Sequence, residues 1–222
     1  MFWHFWILKR HPILKNVLNV CVWAFVAFGL YLLLIADERF QPYPKFQAGI
    51  AFLSALAMFA PYIVFRVTSL HERFDIALLV YFEFLVIMPL VMNGIGARWL
   101  YDLDINYDAI VHFFNSFFLA LLTASTMWLM RPQIVNNYPI VIFLTVTLAI
   151  LVFGILFEFF EAWSDAYWHT SMWGEGHTNI IADTREDVLA NTLGGIVAAA
   201  VFLWRGTTWL RFLSEQGQRH EA

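Results

Sequence analysis

The chain has a single cysteine, Cys21, in 222 residues, so it cannot form an internal disulfide, and a disulfide-stapled secreted domain is excluded. Charge is scarce too. Asp, Glu, Lys and Arg make up 14% of the chain, where an average soluble domain carries roughly 25%. Seventeen acids against thirteen bases give a net charge of -4. Without a basic patch to neutralise phosphates, no nucleic acid is expected as a partner. The sequence contains no phosphate-binding glycine loop, no nucleophile elbow and no paired-cysteine motif, which argues against ATP-driven, serine-hydrolase and redox chemistry. Disorder, collagen and coiled coil fall with the composition, because 61% of the residues are apolar.

What is abundant is apolar length. Mean hydropathy is +0.66, and a bilayer core takes about 20 apolar residues as helix. The strict alternation that a barrel needs is absent. Six stretches qualify as spans: Asn16–Ala36, Phe46–Phe65, Ile76–Ala97, Ala109–Met130, Tyr138–Glu161 and Val188–Trp204. The last is short and is expected to extend back through Asp183–Asp187. The predicted fold is therefore all-α: a polytopic transmembrane helical bundle of about six spans, one integral membrane domain over 1–222, with the lipid bilayer as its partner. Met1–Pro12 does not read as a signal peptide, and no small-residue cleavage site follows the first span. Phe2, Trp3, Phe5 and Trp6 suit an interfacial anchor.

Lys9, Arg10, Lys15, Arg66, Arg73, Arg131, Arg205, Arg211 and Arg219 flank one set of span ends, and Arg39, Lys45, Arg98 and Arg185 the other. The positive-inside rule then places both termini in the cytoplasm and the loops after Arg98 and Ala162 outside, on the far face of a bacterial inner (plasma) membrane if the host is bacterial.

Ionisable groups at membrane depth are costly and mark function. Three clusters gather at the outer ends of the later spans. Asp108 and His112, four apart, share one face of the fourth span. Glu158, Glu161 and Asp165 stack on one stripe at the end of the fifth. Asp183, Asp187 and Asn191 align along the sixth, followed by Gly194 and Gly195. Taken singly, Asp108 and Asp183 also suit helix starts, where acids meet the positive end of the dipole. Glu158 and Glu161 do not, because they repel each other and call for a proton, a cation or a donor. Glu83 stands apart in the third span. Gly194 and Gly195, like Asn93-Gly94-Ile-Gly96, suit close helix contacts. The loop after Ala162, with Met172–His177, suits either a lid over the site or an interfacial tryptophan belt.

The order Asp-x-x-x-His, then a Glu-rich helix end, then Asp-x-x-x-Asn-x-x-Gly resembles the VanZ-like membrane proteins, and more closely the related YjdF-like family of inner-membrane proteins. The matching positions are Asp108 and His112, Glu158 and Glu161, then Asp183, Asp187, Asn191 and Gly194 or Gly195, within 98–205. VanZ-like sequences tend to carry Glu-x-x-Gln where this chain has Glu158-Phe-Phe-Glu161, which makes the present site more acidic. The resemblance implies a multi-spanning cell-envelope protein and brings no established biochemical activity with it.

The residues leave two functions open. One is an intramembrane enzyme at headgroup depth acting on a lipid or lipid-linked precursor, with Asp108, His112, Glu158, Glu161, Asp187 and Asn191 as the catalytic group. His112, Glu158, Glu161, Asp183 and Asp187 would be the candidate ligands of a divalent cation, since oxygen and imidazole donors without thiolate suit Mg, Mn, Zn or Fe. In that reading Asp108 orients the imidazole and Asn191 positions a headgroup. The other is a non-catalytic scaffold or an ion-coupled transporter built on the same polar groups.

Overall fold

A computed structural model describes residues 2–36, 44–68, 70, 74, 76–96, 106–168 and 180–219. The elements are α1 (Phe2–Leu34), α2 (Pro44–Val67), α3 (Ile76–Ile95), α4 (Tyr107–Met130), the short α5 (Pro132–Asn137), α6 (Pro139–Trp168) and α7 (Ile180–Val201), then a π-helical turn (Phe202–Gly206) and α8 (Thr207–Arg219). Among the described residues the protein is all-helical, and six helices there are long and apolar enough to cross a membrane: Pro12–Leu34, Pro44–Val67, Ile76–Ile95, Tyr107–Met130, Pro139–Trp168 and Ile181–Ser214. Their burial is that of a membrane bundle. Large side chains such as Leu148, Phe159 and Trp204 stay exposed on the outside, where lipid is the solvent.

The sixth span reaches back through Asp183–Asp187 as expected, as far as Ile180. Two boundaries differ from the sequence expectation. The first helix begins at Phe2, so Lys15 sits inside it and not ahead of it. The fifth span, α6, runs to Trp168, seven residues beyond Glu161, so the segment from Ala162 to Trp168 is helix and not loop. The reason is local: Phe157, Phe160, Trp163 and Tyr167, spaced three or four apart, pack as a ladder of tilted rings with centroids 6.0, 6.1 and 5.5 Å apart. Trp168 closes on Trp163 at 4.6 Å. The stretch Met172–His177 lies outside the described residues, as do Arg39, Arg73, Arg98 and the side chains of Phe2, Trp3, Phe5 and Trp6.

The chain divides into two compact units, Met1–Val91 with Thr208–Ala222, and Met92–Thr207. In the first, Leu18 and Val22 of α1, Ala55 and Met58 of α2, and Val80 and Ile87 of α3 form one buried cluster. In the second, α4 and α7 run side by side in the same direction and α6 runs against both. Glycine makes this possible. A Cβ on Gly194 would lie 2.1 Å from the Phe113 carbonyl oxygen, so α7 meets the bare backbone of α4 at that point. On Gly154 of α6 a Cβ would meet the Asn191 side chain at 3.1 Å.

Candidate metal centre

Local structure brings the acids in. Asn106 caps α4, its side chain accepting from the Ala109 N–H at 3.2 Å. Asp108 is thus a first-turn residue and not the cap. Asp183 likewise falls in the first turn of α7. Both benefit from the helix dipole at about 0.3–1 kcal/mol. Glu158 and Glu161 lie well inside α6, so the repulsive end of a dipole does not explain them. Burial takes its place, since they are 6% and 7% exposed.

The three helices converge on His112. Its Nε2 lies 3.6 Å from Asp108 Oδ1 and 3.9 Å from Asp187 Oδ1. Asp108, His112 and Asp187 can each offer one donor atom with all three atoms within 4.8 Å of one another, and so can His112, Glu158 and Glu161. The two groups share the imidazole. His112, Glu158, Glu161, Asp187 and Asn191 are buried, while Asp108 is half-exposed at the rim. Phe157 walls the ring edge-on at 5.8 Å.

Separations of 3.6 and 3.9 Å are too long for hydrogen bonds. They are close to those between neighbouring donors around an ion bound at roughly 2.0–2.2 Å. Both Glu158 oxygens are buried and lack a hydrogen-bond partner. Thr184 is its neighbouring donor but falls outside hydrogen-bonding geometry. Among the described residues no Lys or Arg pairs with Glu158, Glu161 or Asp187. A buried carboxylate with neither donor nor counter-ion costs several kcal/mol in a dry environment.

The other imidazole nitrogen is engaged. Asn191 Nδ2 lies 3.1 Å from His112 Nδ1, and Ser116 Oγ donates to Asn191 Oδ1 at 2.6 Å. A half-turn of the amide lets Oδ1 accept from a protonated Nδ1 while Nδ2 donates to Ser116. In that tautomer Nε2 presents its lone pair to the carboxylates, as a metal ligand must. Asn191 and Ser116 thus hold one edge of the imidazole, while Asp108, the residue expected to orient it, lies beside the other.

Of the residues singled out in the sequence, Asp108, His112, Glu158, Glu161, Asp187 and Asn191 meet at this point. Asp183 stands half-buried one turn before Asp187. It is close enough to act electrostatically on Glu158 and Glu161, but it belongs to neither donor group. Sequence reasoning missed Ser116, although it continues the Asp108–His112 stripe at the same four-residue interval, and Gly154, whose role depends on a neighbouring helix.

The fold and these buried groups define a multi-pass helical membrane protein with a carboxylate–imidazole centre among three of its helices. The chain belongs to the DUF2238 family, described as a predicted membrane protein, whose model matches residues 14–208. No curated protein and no solved structure matches it.

Proposed function

We infer that this protein binds a divalent cation through His112, Glu158, Glu161 and Asp187, with Asp108 at the rim, and uses it on the headgroup of a lipid or lipid-linked precursor. The observation that carries the reading is Glu158: a buried carboxylate with no hydrogen bond in place and only the Thr184 hydroxyl nearby, within ligand distance of an imidazole and a second buried carboxylate. A cation neutralises these acids together, and oxygen and nitrogen donors without sulfur favour Mg, Mn, Zn or Fe. Such an ion would polarise a phosphoryl or carbonyl oxygen, and Asp108, the accessible acid, would take a proton from water or from the substrate. Asp183 adds negative charge at the mouth. Asp108 and His112 lie in the first two turns of α4, Asp187 in the third turn of α7, and Glu158 and Glu161 in the C-terminal half of α6, so the donor atoms gather toward one end of the three helices and suit a site nearer the headgroups than the mid-membrane. The Lys and Arg distribution favours a site facing the outer leaflet of a bacterial inner membrane, and the resemblance to the VanZ-like and YjdF-like families fits an envelope role.

The test is elemental analysis of the detergent-purified protein after supplying Mg, Mn, Zn and Fe in turn. About one equivalent of metal is expected, and it should be lost in Glu158→Gln and in His112→Ala. Protein that retains no metal, with both variants behaving as wild type in an envelope-stress assay, would leave the polar cluster as a scaffold that holds α4, α6 and α7 together.

A further inference from the structure

The first unit has a polar site of its own. Lys15 of α1 donates to Glu83 Oε1, pairing residues from two helices at membrane depth. Lys15, Leu18 and Val22 share one stripe of α1, and Val80, Glu83 and Ile87 share one stripe of α3. The ion pair therefore sits on the rim of the apolar cluster these residues build. The pairing is incomplete. Glu83 is 3% exposed, yet its second oxygen, Oε2, has no hydrogen-bond partner. Beside it is a cavity of about 260 Å³ lined by Lys15, Asn19, Tyr62 and Glu83, with Val22 and Met58 on its apolar side. A second cation joins at the edge: Arg66 and Lys15 both lie over the Tyr62 ring, at 5.6 and 5.7 Å.

Lys15 pairs with the one carboxylate here, and Arg66, on the same Tyr62 ring at the cavity edge, adds a second positive charge for an anion, while the free Glu83 oxygen asks for a hydrogen-bond donor. Lys15 stands near the start of the first span and Arg66 near the end of the second, so both are at the boundary where phosphates lie. The cavity falls just below the roughly 300–1,000 Å³ of drug-sized pockets, so it suits a headgroup and not a whole lipid. The wall of Val22 and Met58 suits the first carbons of a chain.

We propose that this cavity binds a phosphodiester lipid whose headgroup carries a hydrogen-bond donor, with the phosphate against Lys15 and Arg66 and the donor on Glu83 Oε2. Ethanolamine and glycerol headgroups meet the requirement. Choline, with no N–H or O–H, does not. The site is separate from the carboxylate–imidazole centre and does not rest on its reading.

The test is native mass spectrometry of the full detergent-solubilised chain, titrated with phosphatidylglycerol, phosphatidylethanolamine or phosphatidylcholine of identical short chains. At least tenfold tighter retention of one or both donor-bearing lipids over phosphatidylcholine is expected, and whichever is tighter identifies the source of the donor. Glu83→Leu should abolish the discrimination, and Lys15→Met should weaken all three. Removing one partner of a buried pair can unfold a protein, so the double variant Lys15→Met with Glu83→Met, which removes both charges, is the control that retains packing. It should bind the three lipids alike. Equal retention of the three by the wild-type protein, or discrimination that survives in the double variant, would overturn the proposal.

Discussion

The two units solve helix packing in different ways. The three long helices of the first unit, α1, α2 and α3, each carry an interior proline, Pro12, Pro61 and Pro89, which removes a backbone donor and loosens a turn. The long helices of the second, α4, α6 and α7, carry none past their first residue. Instead Gly194 brings α7 onto the backbone of α4, while Gly154 and Gly195 make room for the Asn191 and Ile150 side chains between α6 and α7. The polar groups differ accordingly. The first unit neutralises its buried carboxylate with a lysine, whereas the second gathers four carboxylates around one histidine with no basic side chain on Glu158, Glu161 or Asp187 among the described residues. A rigid, glycine-packed frame holds donor atoms at fixed spacing, which is what an ion needs and an ion pair does not.

The sharpest way to break this contrast is at the glycines. Gly194→Ala drives a methyl into the Phe113 carbonyl, a backbone atom that cannot turn aside. A loss of about 3 kcal/mol or more is expected, seen as failure to recover folded protein by size exclusion in detergent. Gly29→Ala in the first unit meets only the Phe52 ring at 2.9 Å, which can turn, so about 1 kcal/mol is expected. Equal losses would mean the units are not packed differently.

Metal removal comes next. A chelator should lower the melting temperature of the wild-type protein by the equivalent of about 2.7 kcal/mol if the ion was present at a hundred times its Kd. The Lys15→Met, Glu83→Met double variant should respond to the chelator as wild type does, because its changes lie in the other unit. In chelated protein, Glu158→Met should then raise stability by about 1–3 kcal/mol, since it replaces an orphaned buried carboxylate with an apolar side chain of similar length. A fall in the melting temperature would show that the carboxylate has a partner. Ser116→Ala should cost about 1 kcal/mol through its bond to Asn191 and weaken metal binding roughly tenfold by freeing the imidazole, measured by competition with a metal indicator. The smallest effect is expected at Gly49→Ala. It meets nothing within 4 Å, so stability should rise by less than about 1 kcal/mol, read as a small upward shift of the melting temperature.

Much of the site was legible one helix at a time. Four-residue spacing put Asp108 above His112 and Asp187 above Asn191 because helical period is a property of the chain alone. The end of α6 was not legible at Glu161. The aromatic ladder that carries the helix to Trp168 depends on ring contacts, and the drop in hydropathy there looks the same in a loop. Lys15 read as a loop charge because its partner, Glu83, is sixty-eight residues away.

By itself, then, the sequence determined the membrane class, the six apolar segments and the face of each helix that carries acids, because hydropathy and periodicity act locally. Only the tertiary structure decided that these faces meet at one imidazole and that Asn191 and Ser116 hold it. It alone decided that Glu158 is buried with no Lys or Arg partner among the described residues and that Lys15 neutralises Glu83. Which buried charge finds a counter-charge depends on where helices cross, and in this chain the crossings depend on where a glycine lets two backbones approach.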